Sequence, residues 1–319
     1  MKRLLAAALC LGLSACTPAQ PETKAAPPAL APKVVTLWPA GAIPDPMPPM
    51  APESTETGTK LIGGKTITGI NNVSVPTMTV YPAKGRNTGA AILVFPGGGY
   101  RGLAIDLEGT EVCDWATAKG ITCAVLKYRV PGSGPWWDGA CKCEHIDVLP
   151  RALEDAQRAM GLLRLHAADW GIDAHKVGVL GFSAGGHMVA DLSTHYARRA
   201  YAPLDAADQQ SARPDFAVAL YPGHIWGSEY PGDHINHDIV DNITADTPPT
   251  FLLQNEDDPV DPIQNSRTYF TALKARNVPV EYHTYPHGGH AFGLRPTAEP
   301  STHWPDLLEV WLKGLKMVP

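Results

Sequence analysis

Ser183 lies at the centre of Gly181-Phe182-Ser183-Ala184-Gly185, a stretch that fits the pattern G-x-S-x-G. An apolar run, "KVGVLGF" at 176–182, precedes the serine, and an apolar segment with helical character follows it. The flanking glycines remove Cβ atoms from a sharp strand-to-helix turn, so the serine can take a strained conformation and present its hydroxyl. The pattern therefore predicts a nucleophilic serine. The alternative is a structural serine in a tight turn, whereas a phosphate loop is disfavoured because G-x-x-x-x-G-K-[ST] is absent.

A serine hydroxyl is a weak nucleophile, so it needs a histidine base and an acid that orients the histidine. For a serine on this kind of turn, the acid and then the histidine follow along the chain. Three acids follow one apolar run of the sequence, and three histidines lie in or after the next. These residues are Asp257, Asp258 and Asp261 after 250–256, and His283, His287 and His290 around 280–286. Residue types and order thus predict a Ser-His-Asp triad and leave open which acid and which histidine complete it.

A glycine-rich loop is a candidate for stabilising a developing oxyanion. "VFPGGGYRG" at 94–102 follows another apolar run and contains Gly97, Gly98 and Gly99. Glycine lets backbone N–H groups approach a substrate carbonyl closely, and the residue after the nucleophile supplies a further N–H. The helix that starts near Gly185 also directs its positive end at the site. A flexible loop without function is the alternative.

Strands and helices alternate along the part of the chain that must position these residues. Near-continuous apolar runs predict strands buried on both faces, at 90–96, 121–130, 176–182, 216–222, 250–256 and 280–286. Residues 70–83 alternate like an antiparallel edge strand. Helices are predicted within 150–171, 261–277 and 302–316. This alternation predicts an α/β fold with a mostly parallel sheet, helices on both faces, and a site at the carboxyl ends of the strands.

The composition is that of a globular protein of moderate acidity. The chain has 319 residues, of which 44% are hydrophobic and 18% charged, and its net charge is −6. That length is compatible with one large α/β domain or two small ones. Since no run of Lys or Arg offsets the acidity, nucleic acid is not an expected partner.

The N-terminus has the features of an export signal. Lys2 and Arg3 precede an apolar stretch that is too short to span a membrane, and "LSAC" at 13–16 looks like a bacterial lipobox. That resemblance implies a signal peptide at 1–15 and a lipid on Cys16, with the mature protein membrane-anchored and facing the periplasm or cell exterior. Residues 16–50 are predicted to be a proline-rich tether and extension, and 51–319 the catalytic domain.

Four further cysteines are compatible with disulfides in an exported protein. They are Cys113, Cys123, Cys141 and Cys143, and they allow three pairings. "CKCEH" at 141–145 also raises the question of zinc, but the spacing lacks a second ligand pair. No metal is therefore expected.

The motifs together resemble the α/β-hydrolase superfamily and, within it, secreted bacterial esterases of the acetyl-xylan esterase and feruloyl esterase-like (BD-FAE) group. The resemblance covers most of residues 35–319. The matching segments are "LWPAGAIP" (37–44), "FPGGGYRGL" (95–103), "LKYRVP" (126–131), "DAQRAM" (155–160), "GFSAGGHM" (181–188), "EDDPVDP" (256–262) and "GGHAFG" (288–293).

The resemblance implies a role for individual residues. It assigns Ser183 as nucleophile, Asp258 as the orienting carboxylate and His290 as the base. It also implies an oxyanion hole formed by the N–H groups of Gly98, Gly99 and Ala184, with "PGGG" in place of the "HGGG" of many esterases. His187 is expected to pack beneath the site, and no cofactor is required.

Two long loops are predicted to shape the substrate site. One, at 130–150, carries Trp136 and Trp137, and the other, at 221–249, carries Trp226; Tyr100 is a further candidate for substrate contact. Their aromatic rings could stack on a sugar or an aromatic acyl group, or merely cover the core. The predicted function is hydrolysis of short acyl or carbohydrate-linked acetyl or feruloyl esters. A serine peptidase and a non-catalytic binding lipoprotein on the same fold are the alternatives.

Overall fold

A computed structural model describes residues 31–131, 149–230 and 232–319, and the backbone of 136–138 and 143–145. The signal peptide, Cys16 and most of the tether predicted from the sequence lie outside these residues. The described strands are β1 (Lys33–Thr36), β2 (Ser54–Thr57), β3 (Thr68–Asn71), β4 (Thr77–Tyr81), β5 (Ala91–Phe95), β6 (Gly102–Ala104), β7 (Thr122–Lys127), β8 (Trp136–Asp138), β9 (Cys143–His145), β10 (Val177–Phe182), β11 (Ala217–Leu220), β12 (Thr250–Asn255) and β13 (Val280–Tyr285). The described helices are α1 (Glu111–Ala118), α2 (Leu149–Leu165), α3 (Ala184–His195), α4 (His237–Val240), α5 (Gln264–Ala275) and α6 (Trp304–Gly314).

Eight strands form one twisted sheet in the order β1-β4-β7-β5-β10-β11-β12-β13. The pairs from β7 to β13 are all parallel, while β1 and β4 join the sheet in antiparallel register. The buried apolar runs predicted as strands are the parallel strands of this sheet. The mostly parallel sheet predicted from the alternation of strands and helices is therefore confirmed.

Two hydrophobic cores cover the two faces of the sheet. One face packs against α2, α3 and α5 through residues such as Met160, Met188 and Leu273. The other packs against α1 and α6 through residues such as Val112 and Trp304. Because both faces are covered, the strands must be apolar on both sides, which explains their continuous apolar sequence. Because these strands are parallel, their carboxyl ends all lie on the same side of the molecule, at one end of the strands.

The antiparallel strand predicted at 70–83 is confirmed as β4, but its predicted position at the edge of the sheet was wrong. Those residues contribute the end of β3, which belongs to a small second sheet, and β4, which lies one strand inside the edge. The edge strand is β1, whose residue Lys33 lies opposite Val80 of β4. Leu37 and Trp38 follow β1 and are buried. The N-terminal extension thus supplies part of the main sheet and of the core.

Helix α2 carries a buried ionic cluster on the side that faces the N-terminal extension. Asp155 accepts hydrogen bonds from the Trp38 indole N–H at 2.8 Å and from the Arg129 guanidinium at 2.9 Å. Arg129 is itself fully buried and also pairs with Glu154. Buried charges are stable only when they are paired and hydrogen-bonded in this way. The cluster therefore stabilises the packing of the N-terminal extension against α2 and the end of β7.

A disulfide joins Cys113 on α1 to Cys123 on β7. It selects one partner for Cys113 among the pairings left open by the sequence, while Cys141 and the Cys143 side chain lie outside the described residues.

Within the described part of the chain, no helix has the length and apolar character needed to cross a bilayer.

Candidate active site

Ser183 sits on a strained turn between β10 and α3. Its backbone has φ +53° and ψ −121°, a conformation that residues with a side chain rarely adopt. Its N–H donates to the Leu220 carbonyl at 3.0 Å, and its carbonyl accepts the His187 N–H that starts the helix ladder. Strain of this kind persists only where the surroundings impose it, and such sites are often functional. The turn holds the Ser183 hydroxyl above the carboxyl end of the sheet.

The two glycines of the pattern are required by close packing. A Cβ on Gly181 would lie 2.1 Å from the Gly185 carbonyl oxygen, and a Cβ on Gly185 would lie 2.0 Å from the Phe95 carbonyl oxygen. Both contacts are with backbone atoms that cannot move aside. The helix start is thus pressed against the turn and against the end of β5.

Ser183, His290 and Asp258 form one hydrogen-bonded line. The Ser183 Oγ lies 3.0 Å from Nε2 of His290, and Nδ1 of His290 lies 2.7 Å from Oδ2 of Asp258. The loops after β12 and β13 bring the acid and the histidine to the serine, because these strands are neighbours in the sheet. The arrangement can hold Nδ1–H towards Asp258 and leave Nε2 free to accept the serine proton.

Asp257, His283 and His287, which the sequence also suggested, take no part in this line, whereas Asp261 lies beside Ser183. Asp257 contacts the exposed His287 at 3.3 Å and accepts the Gly289 N–H at 2.9 Å. His283 pairs with Glu281 on the surface of β13. Asp258, by contrast, is held by the backbone N–H groups of 260 and 261. Of the three acids, Asp258 is therefore the one placed to orient His290.

Burial and nearby carboxylates act in opposite directions on His290. Burial disfavours the protonated imidazole, but the hydrogen bond and the charge of Asp258 outweigh it, with further contributions from Asp261 and Glu108. The pKa of His290 is raised as a result. The raised pKa means that these carboxylates stabilise the protonated imidazole, which is what a histidine would need in order to act as a base.

The glycine loop after β5 presents free amides beside the nucleophile. Gly98 has φ +138°, and a Cβ there would lie 2.1 Å from the Gly102 carbonyl oxygen, so only glycine fits. Among the described residues, none accepts a hydrogen bond from the N–H of Gly98, Gly99 or Ala184. These three amides, which were predicted to form the oxyanion hole, are thus available to a ligand.

A buried carboxylate that the sequence analysis missed supports this loop. Glu108 lies in a π-helical turn at Asp106–Thr110, and such turns are frequent at functional sites. Its Oε2 accepts the Gly97 N–H at 2.8 Å, and its Oε1 accepts the Tyr221 hydroxyl at 2.9 Å. The Tyr221 ring in turn packs against His290, with centroids 4.8 Å apart. The only signal in the sequence is an acid shortly after the glycine loop.

Tyr100 occupies a different position from the one expected. Its side chain is 1% exposed, and its hydroxyl lies 2.8 Å from Nδ1 of His187. His187 is buried beneath the site, as expected, and its pKa is lowered by burial and by the nearby His224 and His195. The ring of Tyr100 packs against those of Tyr128 and His187, so its side chain is buried and is not exposed to a substrate in this structure.

Asp261 contacts Ser183 and also lines a cavity. Its Oδ2 accepts a hydrogen bond from the Ser183 hydroxyl at 3.2 Å. The cavity has a volume of about 520 Å³, and its lining includes Trp226, His224 and Glu229. Burial raises the pKa of Asp261, while the charges of His290 and His224 oppose this. Trp226, predicted to contact substrate, therefore lines the same cavity as Asp261.

Trp136 and Trp137 lie on strand β8, but their side chains are outside the described residues.

One group of metal-ligand type is present in the described part of the chain: atoms of Asp191, His195 and Asp238 lie within 4.8 Å of one another. The hydrogen bond that His195 donates to Asp191 raises the pKa of the histidine to about 9. In this structure the ring nitrogens of His195 lie 2.8 Å from Asp191 and 3.5 Å from Asp238, so the group forms an ion-pair cluster.

Comparisons with known proteins point in one direction. Residues 141–220 match the family model BD-FAE. The acetylxylan esterase of Xylanibacter ruminicola is 28% identical over 65% of this chain and 42% of its own length. Endo-1,4-beta-xylanase B of Butyrivibrio fibrisolvens is 28% identical over 62% of this chain and 32% of its own length. The chain thus spans less than half the length of these curated relatives.

A solved structure matches over nearly the whole of both chains. The acetyl ester-xyloside bifunctional hydrolase of Caldicellulosiruptor lactoaceticus superposes with a TM-score of 0.70 and 29% identity, over 90% of this chain and 97% of that one. An α/β-hydrolase from a Medee basin deep-sea metagenome library, 24% identical with a TM-score of 0.58, shares the fold. These likenesses confirm the α/β-hydrolase fold, and they show that the chain is similar to esterases of the acetylxylan esterase-like group.

Proposed function

We propose that this protein is a serine carboxylic-ester hydrolase that works through an acyl-enzyme on Ser183. The observation that carries the proposal is the line of hydrogen bonds from Ser183 through His290 to Asp258. Two further observations support the proposal: the backbone of Ser183 is strained, and relatives of this chain are esterases.

In the proposed reaction, Nε2 of His290 takes the hydroxyl proton as Oγ of Ser183 attacks the ester carbonyl carbon. The N–H groups of Ala184 and of the glycine loop stabilise the oxyanion of the tetrahedral intermediate. His290 then gives its proton to the leaving alcohol oxygen, and the acyl group stays on Ser183. A water molecule, deprotonated by His290, attacks the acyl-enzyme and releases the acid. Asp258 stabilises the imidazolium in both halves of the reaction.

The mechanism is tested with Ser183→Ala on p-nitrophenyl acetate. We expect kcat to fall by about 10⁴- to 10⁶-fold, since the nucleophile of a triad supplies this much rate. Ser211→Ala removes a hydroxyl from an exposed loop and serves as the control, with unchanged kcat. A fluorophosphonate probe should label wild-type Ser183; turnover without labelling there would contradict the mechanism, and no labelling at all would favour a binding protein.

The proposed substrates are short acyl esters, including acetyl or feruloyl groups on carbohydrate. The names of the relatives from Xylanibacter ruminicola and Caldicellulosiruptor lactoaceticus support the acetyl and carbohydrate parts. A series of p-nitrophenyl esters, acetylated xylan and feruloyl esters measures acyl preference. Faster cleavage of peptide p-nitroanilides than of all esters would instead identify a peptidase.

We further propose that the chain is exported and anchored to a membrane through a lipid on Cys16. The charged and apolar start of the sequence supports this, as does the Cys113–Cys123 disulfide, because such bonds persist in oxidising compartments. Mass spectrometry of the membrane fraction should find a lipidated N-terminal cysteine. Cys16→Ala should release the enzyme from that fraction, and an unmodified Cys16 in the wild type would contradict the anchor.

A further inference from the structure

Asp261 is a carboxylate beside Ser183 that does not belong to the hydrogen-bonded line of Ser183, His290 and Asp258. Its Oδ2 lies 3.2 Å from Ser183 Oγ and 3.7 Å from Nε2 of His290. Ser183 has one hydroxyl proton, so it can donate to His290 or to Asp261 but not to both at once. The carboxylate therefore competes with the base for the proton that the reaction must move.

The fold holds Asp261 in this position. Its N–H donates to Asp258 at 3.0 Å, and its carbonyl accepts a hydrogen bond from Gln254 at 2.6 Å. Its carboxylate packs against Gly223, where a Cβ would lie 2.5 Å from Oδ1. The absence of a side chain at 223 thus leaves room for the carboxylate.

A carboxylate in this place opposes ester hydrolysis unless a donor neutralises it. Once His290 removes the serine proton, Asp261 loses the hydrogen bond from Ser183. Negative charge develops on the substrate carbonyl oxygen at the same time, and like charges repel strongly in a partly buried site. A substrate that brings its own hydrogen-bond donor to Asp261 removes this penalty.

The geometry indicates which part of the substrate must carry that donor. His290 delivers its proton from Nε2 to the leaving alcohol oxygen. Asp261 lies 3.7 Å from the same nitrogen, so groups one or two bonds beyond the leaving oxygen are within its reach. The donor therefore belongs to the alcohol part of the ester.

The cavity next to Asp261 has the size and lining for a polar ring. Its volume of about 520 Å³ lies within the range of small-molecule sites. Trp226 offers an aromatic surface and packs against His234, with ring centroids 5.7 Å apart. Glu229, on the same wall, is already paired with His224 at 3.3 Å. Asp261 is thus the carboxylate of the lining that contacts the Ser183 hydroxyl.

Building on the proposed esterase function, we propose that this cavity binds the alcohol part of the substrate as a ring with a hydroxyl next to the ester oxygen. Asp261 accepts a hydrogen bond from that hydroxyl, and Trp226 packs against the ring. The substrate class is a vicinal hydroxy ester, such as a partly acylated pyranoside. Asp261 is then a specificity-determining residue that favours esters of diols over esters of simple alcohols.

The test uses two acetates that differ by one hydroxyl: trans-1,2-cyclohexanediol monoacetate and cyclohexyl acetate. Acetyl migration in the first compound regenerates the same compound, so the substrate stays defined. We expect wild-type kcat/KM to favour the diol ester by roughly ten- to hundred-fold, the size of a hydrogen bond to a charged group. Asp261→Ala should abolish this preference, and Asp261→Asn, whose amide oxygen still accepts, should keep part of it.

The ratio of the two rates is the readout, so a general loss of activity does not imitate the effect. Asp257→Ala removes a carboxylate from the same loop but outside the cavity, and its ratio should equal that of the wild type. Equal rates on both acetates in the wild type, or an unchanged ratio in Asp261→Ala, would overturn the assignment of Asp261. No turnover of any ester, with Ser183 unlabelled by a fluorophosphonate, would instead contradict the esterase function itself.

Discussion

The carboxylate of Glu108 accepts the amide N–H of Gly97 at 2.8 Å, one residue before the glycines whose amides are left free. That hydrogen bond gives the Gly97 amide an acceptor within the protein and fixes the start of the loop. The other carboxylate oxygen holds Tyr221, which packs on His290. One buried side chain therefore holds the glycine loop directly and the ring of His290 through Tyr221.

Glu108→Gln should reduce kcat by roughly 10- to 100-fold, because a hydrogen bond to a charged group is lost at the loop. Its negative charge also helps to raise the pKa of His290. Without it, the imidazolium is less stable, so the acid limb of kcat/KM should move to lower pH. Glu309→Gln, on the exposed side of α6, is the control. An unmoved acid limb would restrict Glu108 to a structural role.

Asp258→Asn should lower kcat by about 10⁴-fold, because an amide favours the wrong tautomer of His290. Asp257→Asn serves as the matched control, since Asp257 contacts His287 and not His290. Its activity should stay within a few-fold of the wild type. Steady-state kinetics on p-nitrophenyl acetate separate the two variants, and equal losses would mean that the acid has been misassigned.

Gly185→Ala should destabilise the fold by at least about 2–3 kcal/mol, because its Cβ would lie 2.0 Å from the Phe95 carbonyl oxygen. Ser183 would be displaced with the helix start, so activity should fall as well. Gly314→Ala, at the exposed end of α6 with no atom within 4 Å of the new Cβ, should be neutral or stabilise by roughly 0.5 kcal/mol. Urea unfolding measures both; equal stabilities of the two variants would show that the turn relaxes freely.

The ion pairs of His195 should make stability depend on pH. Its hydrogen bond to Asp191 raises its pKa to about 9 in the folded protein, whereas the unfolded value is about 6.5. The stabilisation is therefore complete below pH about 6.5 and is lost as the pH rises towards 9, by on the order of 1–3 kcal/mol. Unfolding free energies of the wild type and His195→Gln should converge over this interval; parallel curves would contradict the pKa.

The strands, the turn at Ser183 and the order of acid and histidine were accessible from the sequence because each leaves a local pattern. Buried parallel strands give continuous apolar runs, and the sharp turn needs glycines at fixed positions around Ser183. The position of Glu108 left no such pattern. Its partners, Gly97 and Tyr221, are distant in sequence, and nothing in a single acid shows that it is buried.

The burial of charged residues on α2 was also not predictable from the sequence. Glu154 and Asp155 lie off the apolar face of the helix, which is typical of a solvated surface, yet both are buried. Their partner Arg129 comes from the end of β7, and Trp38 comes from the extension. Burial of charge depends on which distant segments meet, so it cannot be read from helical periodicity.

The edge strand β1 also has a consequence for recombinant work. The sequence predicts that the catalytic domain starts at residue 51, yet a fragment that starts there lacks β1, Leu37 and Trp38. Arg129 would also lose the backbone carbonyls of Pro44 and Asp45 that accept from its guanidinium. The antiparallel edge of β4 would then be open to pairing with other molecules. Such a fragment should aggregate on expression, whereas one that starts a few residues before Lys33 should stay soluble.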